Sequence, residues 1–263
     1  MNHMLIKRTI AVMAAVLFLV PLATALAADP SVQEIIDRID QMQEVKSDIT
    51  AQARITTRDP DMGGTKIIEA VYYRRDSDDA FLIVLTAPDT DKGNGYLRVG
   101  DNMWMYRSKS RAFQHIGRGE KIGGSNATAG DMESRKFGEL YKPDVDASGK
   151  EKLAAEMIGK IPVYKIELVA KAVDVKHPRI IMWVTRDKYL PLKQELYSLS
   201  GTLLETDYFK NYKEIDGRYI WLMGKFDDAV EKENVTLFEI KGIAFGKVDD
   251  YKFDKRYLEQ LSK

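Results

Sequence analysis

The spacing of apolar residues divides the chain into three regimes. From Ile10 to Val20 every position is apolar, and Pro21 ends the run. From Val32 the apolar residues Val32, Ile35, Ile36, Ile39 and Met42 recur at helical spacing, with Asp37, Arg38 and Asp40 between them. That pattern predicts an amphipathic helix ending near Val45. Ser31 followed three residues later by Glu34 supplies a capping box at its start. Beyond it the period falls to two: Ile49, Ala51, Ala53 and Ile55 alternate with polar neighbours, the signature of a half-buried strand.

Alternating segments then follow one another, separated by turn residues. KIIEAVYYR, AFLIVLT, YLRV, NMWMYR and RAFQHI form one series, with Gly63-Gly64, Arg74–Asp79, Gly100-Asp101 and Ser108–Ser110 between segments. Alternation lapses between Gly117 and Lys142, where Gly and polar residues dominate and one short helix is expected around 131–140. A connection of that length in a compact domain is characteristic of function or mobility. Strands resume with KLAAEMI, VYKIELVAK, RIIMWVT, LKQELYS, LLETDYFKNY and RYIWLMGKF, then a last strand over 234–245 and a short helix over 255–261. About a dozen strands at this spacing predict a barrel or strongly curved antiparallel sheet. The absence of strand–helix alternation speaks against parallel α/β architectures. FLIVL and RIIMWVT are apolar on both faces, so both faces need cover, or one face lines an apolar cavity closed by helices.

The first regime reads as an export signal. Lys7 and Arg8 precede the apolar run, and Ala25-Leu26-Ala27 places small residues at a cleavage site. Cleavage after Ala27 leaves residues 28–263 as one domain, with no later run long enough to span a bilayer and no Cys to carry a lipid. The expected location is periplasmic. The whole sequence balances 40 basic against 40 acidic residues, which gives no general field for nucleic acid. With no Cys, thiol catalysis, disulfides and Cys-ligated metals are excluded. His115 and His177, the two His beyond the signal, lie apart without metal-ligand spacing. There is no nucleophile elbow and no complete phosphate-binding loop. The expectation is a non-enzymatic protein with neither cofactor nor metal.

Several pieces in a fixed order carry a family resemblance. They are Leu85 to Pro88, Lys92-Gly93-x-Gly95, Gly100-Asp101, Met103-Trp104-x-Tyr106, the basic stretch 107–118, and Gly124-Ser125 with Asp131 six residues on. Trp183-Val184, Tyr189-Leu190-Pro191-Leu192-Lys193, Gly201-x-Leu203 and Tyr212 to Gly217 continue the order. The sequence resembles the outer-membrane lipoprotein-sorting family, the LolA/LolB-like group. It departs from that pattern at Asn126–Ala129, where relatives tend to carry an aromatic, and at His115.

The resemblance implies an incomplete, strongly curved antiparallel β-barrel with helices over its open side and an apolar cavity between. It also implies a soluble carrier that binds acyl chains of lipoproteins or other lipids and moves them toward the outer membrane. An inner-membrane transporter or an outer-membrane acceptor would be its partners. A second reading makes it an assembly or pump-accessory module, serving for example a resistance–nodulation–division pump, with the same barrel holding a protein. On the carrier reading, candidate cavity residues are Phe81, Ile83, Leu85, Trp104, Tyr106, Met182 and Val184, with Ile35, Ile39 and Met42 on the covering helix. Gly124, Ser125 and Asp131 mark a candidate lid or partner loop.

Overall fold

The computed structural model describes residues 29–261, apart from 45, 60–62, 126–127, 133–135, 173–174, 216 and 232. The export-signal reading lies outside the described residues, and so do Asn126 and Ala127.

Helix α1 (Val32–Gln43) begins on the expected capping box, with the Ser31 hydroxyl accepting from the Glu34 amide and the Glu34 carboxylate accepting from the Ser31 amide. It stops at Glu44, close to the expected position. Six strands follow in a meander: β1 (Ile49–Asp59), β2 (Gly64–Arg75), β3 (Ala80–Ala87), β4 (Gly95–Val99), β5 (Asn102–Arg107) and β6 (Ala112–His115). The next segment holds two single 3-10 turns, 122–124 and 129–132, and then helix α2 (Phe137–Leu140). The helix expected over 131–140 is therefore one turn long. β7 (Tyr141–Pro143), β8 (Leu153–Ile158), β9 (Ile161–Ala170), β10 (Arg179–Thr185) and β11 (Pro191–Tyr197) come next. The long strands β12 (Leu203–Ile215), β13 (Arg218–Asp228) and β14 (Val235–Phe245) complete the sheet, and helix α3 (Lys255–Leu261) ends the described chain.

All fourteen strands belong to one antiparallel sheet, ordered β6-β5-β4-β3-β2-β1-β14-β13-β12-β11-β10-β9-β7, with β8 also on β9. The first and last strands pair in the middle, Ile49 opposite Phe245 and Arg58 opposite Val235. The sheet is not closed: its free edges are β6 and the β7/β8 side, and the segment from 116 to 140 connects them. This is the incomplete antiparallel barrel that the resemblance implies, and it fits the strongly curved antiparallel sheet that the alternation predicts.

Residues directly opposite on antiparallel strands share a face. One lateral row runs Thr57, Thr236, Phe226, Asp207, Gln194, Met182, Ile166. The inner face is thus continuous from the first half of the sheet to the second. Two cores sit on it. In the first, Ile55, Ile68, Phe81, Ile83, Leu85, Tyr96, Met103 and Met105 pack under Ile116, Ile122 and Ala129 of the long connection. In the second, Val32, Ile35, Ile36 and Ile39 of α1 press onto Ile166, Leu168, Ile180, Met182 and Val184. The outer face of β3–β5 has its own core, where Leu82, Val84, Leu97 and Tyr106 lie beneath Val248, Phe253 and Leu258.

Candidate functional site

Between the two inner-face cores lies the middle of that face, where the C-terminal end of α1 also reaches β13. A second lateral row runs Ile68, Ile55, Phe238, Gly224, Phe209 and crosses this middle zone. Here Phe209, Trp221, Phe226 and Phe238 are half-buried, unlike the closed cores on either side. The Trp221 ring centroid lies 5.4 Å from Phe238 and 5.5 Å from Phe209, and Phe209 and Phe226 are 6.2 Å apart, edge to face. Such tilted and edge-on pairs are the favoured arrangement for aromatic rings. Ile240, opposite Ala53, extends the apolar floor.

Two backbone features shape this trough. A Cβ on Gly224 would stand 2.9 Å from Phe226 Cε2 and 3.3 Å from Trp221 Cζ3, so the glycine lets both rings lie over the strand. Strict alternation would send Trp221 to the face opposite Gly224. Across the ladder, Asn211 adopts φ 57, and the pairing skips from Lys210·Met223 to Tyr212·Trp221. The register is the same on both sides of Asn211, and the Trp221 ring nonetheless lies against Phe209, Phe226 and Phe238.

The borders of the trough are pinned. On one side the connection is held by Lys66 Nζ donating to the Gly123 carbonyl (2.6 Å), the Gly123 amide donating to Tyr96 Oη (2.8 Å) and Ser125 Oγ donating to the Ile122 carbonyl (2.7 Å). Ser125 is wholly buried, and a Cβ on Gly123, at φ 59, would come within 2.6 Å of Ile68 Cδ1. Burial raises the Tyr96 phenol above its usual range, which keeps it a neutral donor and acceptor. On the other side Glu44, at the end of α1, pairs with Arg218 at the start of β13 (4.0 Å). Asp40 of α1 accepts from the Phe137 and Gly138 amides at 2.7 and 2.9 Å, tying α1 to α2.

The residues singled out from the sequence do not form one site. Phe81, Ile83 and Leu85 sit in the first core, and Ile35, Ile39, Met182 and Val184 in the second. All seven are buried against protein. Trp104 and Tyr106 face the other way. They belong to the outer core, where Lys255 of α3 lies 4.0 Å above the Trp104 ring and Phe113 is 4.7 Å from Tyr106. Alternation within β5 forces this, because Met103 and Met105 take the inner face. Met42 is half-buried and outside both inner cores. Gly124 and Ser125 belong to the pinned connection, and Asp131 lies in its 129–132 turn. Phe209, Trp221, Phe226 and Phe238 were not singled out. Their signal was aromatic residues on three successive strands around a mid-strand glycine.

Among the described residues no group of three or more His, Asp or Glu is placed to hold a metal ion, and no helix is long and apolar enough to cross a membrane.

A half-open antiparallel sheet with a helix across its inner face defines a LolA-like fold. A LolA superfamily protein from Nitrosomonas europaea superposes with a TM-score of 0.70 at 21% identity, over 87% of this chain and 99% of that one. A putative outer membrane lipoprotein-sorting protein domain from Vibrio parahaemolyticus gives 0.73 at 18% identity, over 86% and 97%. A DUF1329 family protein from Desulfovibrio piger gives 0.72 at 19% identity, over 86% and 96%. The family model described as "Uncharacterized protein" matches residues 77–260, and the chain belongs to that family. No curated protein matches the sequence.

Proposed function

We propose that this protein is a periplasmic carrier that holds an acyl chain, of a lipoprotein or of another lipid, against the aromatic trough of β12–β14. The observation that carries the reading is the half-buried state of Phe209, Trp221, Phe226 and Phe238 between two closed cores on one face. On either side the two cores are closed by the connection and by α1, which also reaches β13. Here apolar rings are left for something apolar to cover. Each acyl CH₂ kept from water is worth about 0.8 kcal/mol, so a groove of rings can compete with a bilayer only along its length. Binding rests on area and shape, with few polar anchors. Export by the signal at residues 1–27, non-enzymatic action and transfer toward an outer-membrane acceptor belong to the same proposal. The LolA-like fold supports it.

The test is native mass spectrometry with lipid extraction of protein purified from its own periplasm. Near-stoichiometric phospholipid or acylated peptide is expected. A clean apo mass, followed by no uptake of a fluorescent fatty-acyl probe, would overturn the carrier reading.

A further inference from the structure

The open sheet has two free edges, and they are built differently. β6 is four residues long, with Arg107 opposite its first residue and Arg111, at φ 53, just before it. A short edge flanked by charge resists pairing with another strand. β8 is longer, six residues, LAAEMI, with Lys152 and Lys160 flanking it but no Pro, Lys or bulge within it, and β9 is its only partner among the described residues. Its one charge, Glu156, already accepts from Trp183 Nε1 at 2.8 Å and pairs with Lys165 at 3.5 Å. Ala154, Ala155 and Met157 are exposed, Met157 to 59%.

The hairpin fixes which backbone groups look outward. Ile158 and Ile161 flank the two-residue Gly159-Lys160 turn, which makes them a hydrogen-bonded pair. Pairs alternate along an antiparallel ladder, so Met157·Pro162, Ala155·Tyr164 and Leu153·Ile166 are the non-bonded pairs. Pro162, which has no N–H, fits this phase. The N–H and C=O of residues 153, 155 and 157 therefore point away from β9. The Leu153 N–H is turned to the Glu151 carbonyl at 3.1 Å, and the remaining groups face the open edge.

We infer that β8 pairs antiparallel with β8 of a second copy of this chain, about a two-fold axis at Ala155. A two-fold axis through an antiparallel pair stands perpendicular to the sheet, so opposed residues must come from the same face. Three registers centre on β8. An axis at Glu156 sets two like charges opposite each other, which is unfavourable. An axis at Ala154 leaves the exposed Met157 beyond the end of the second strand. An axis at Ala155 opposes Ala155 to itself, Leu153 to Met157 of the copy, and Ala154 to Glu156. Large meets large on the inner face, a carboxylate meets a methyl on the outer face, and like charges stay apart. Ala155 exchanges both its hydrogen bonds with its copy, and the Met157 N–H meets the Leu153 carbonyl. An unrelated strand would have no reason to match this symmetry. A pairing of this length buries much less than the ~800 Å² per partner of a standard interface, so the dimer is weak and concentration-dependent.

The chain has no Cys, so single cysteines report pairing cleanly. Sedimentation equilibrium of the wild type up to a few hundred micromolar should show the mass rising toward that of a dimer, and Met157→Lys should weaken association at least about tenfold. Ala155→Cys should form a self-disulfide under mild oxidation. Leu153→Cys and Met157→Cys should cross-link to each other when mixed but poorly to themselves. A wild type that stays monomeric overturns the inference. A dimer that survives Met157→Lys without cross-linking through Ala155→Cys also overturns it, since it must use another surface.

Discussion

Trp221→Ala separates the aromatic trough from the rest of the fold most sharply. The indole is half-buried, and its covered side rests on Phe238 and Phe209 at 5.4 and 5.5 Å. An acyl chain lying in the trough would cover the remaining side, about 100 Å² of a ring that offers 150–250 Å² in all. At roughly 25 cal/mol per Å² that surface is worth at most about 2.5 kcal/mol. Association recovers only part of it, so about 1 to 2.5 kcal/mol, a five- to seventyfold rise in Kd, is the expected loss. Folding stability should fall by about 1 to 3 kcal/mol, since half of the ring is already packed. The assay is titration of a fluorescent fatty-acyl probe, read both as Kd and as energy transfer from tryptophan. Trp183→Ala is the control. Trp183 lies on the outer face between Lys165 and Lys193, 5.3 and 4.3 Å from its ring, and its loss should leave Kd within about twofold. Unchanged affinity in Trp221→Ala, with weakening in Trp183→Ala, would refute the trough.

Three further substitutions probe its surroundings. Gly123→Ala combines a left-handed backbone at φ 59 with a Cβ 2.6 Å from Ile68 Cδ1, and should cost about 2 to 4 kcal/mol in chemical denaturation; wild-type stability would mean that the connection does not rest on Ile68. Trp104→Ala removes the ring beneath Lys255, and hydrogen exchange should show α3 loosened while acyl-probe Kd stays the same; weakened probe binding would return Trp104 to the binding face. Burial pushes the Asp40 carboxyl above its usual range, with the Gly138 and Phe137 amides opposing it. The folded state then holds this proton more tightly than the unfolded one, so the Asp40 contribution falls as pH rises from about 4 to the raised value and is level beyond. Denaturation of Asp40→Asn against wild type between pH 3.5 and 7 (about the window where carboxylates titrate) should show the variant gaining relative stability across that span, and parallel profiles would refute the assignment.

Much of the architecture was legible because local rules and burial agree. Ser31 and Glu34 cap α1 where the capping-box spacing placed it, and the alternation in DITAQARITT became β1. Lys255–Leu261 formed a helix as expected. The topology was less legible: nothing in the alternation announces that β1 pairs with β14, leaving the barrel open at 116–140 instead of at the chain ends. That pairing joins segments nearly two hundred residues apart, and it follows from closing a hydrogen-bond ladder, not from local pattern.

The residues singled out for the site fall in separate cores for a more instructive reason. Strands apolar on both faces left open either cover on both sides or a cavity wall on one, and a strand buried on both faces is one that protein already covers on both sides. β3 shows this directly: Phe81, Ile83 and Leu85 meet the connection on one side, and Leu82 and Val84 meet the C-terminal segment on the other. A surface meant for a ligand must be left uncovered by the chain itself, so its strands should be apolar on one face only and carry fewer aliphatics. β12 fits that description, with Phe209 between exposed Tyr208 and Lys210, while on β13 Phe226 follows exposed Lys225. Gly224 was the remaining clue, because a mid-strand glycine beside aromatics marks a place where rings cross the backbone. In an open sheet whose two inner cores are packed by its own helix and connection, the half-buried aromatics of the central strands are where foreign apolar matter can be received without dismantling a core.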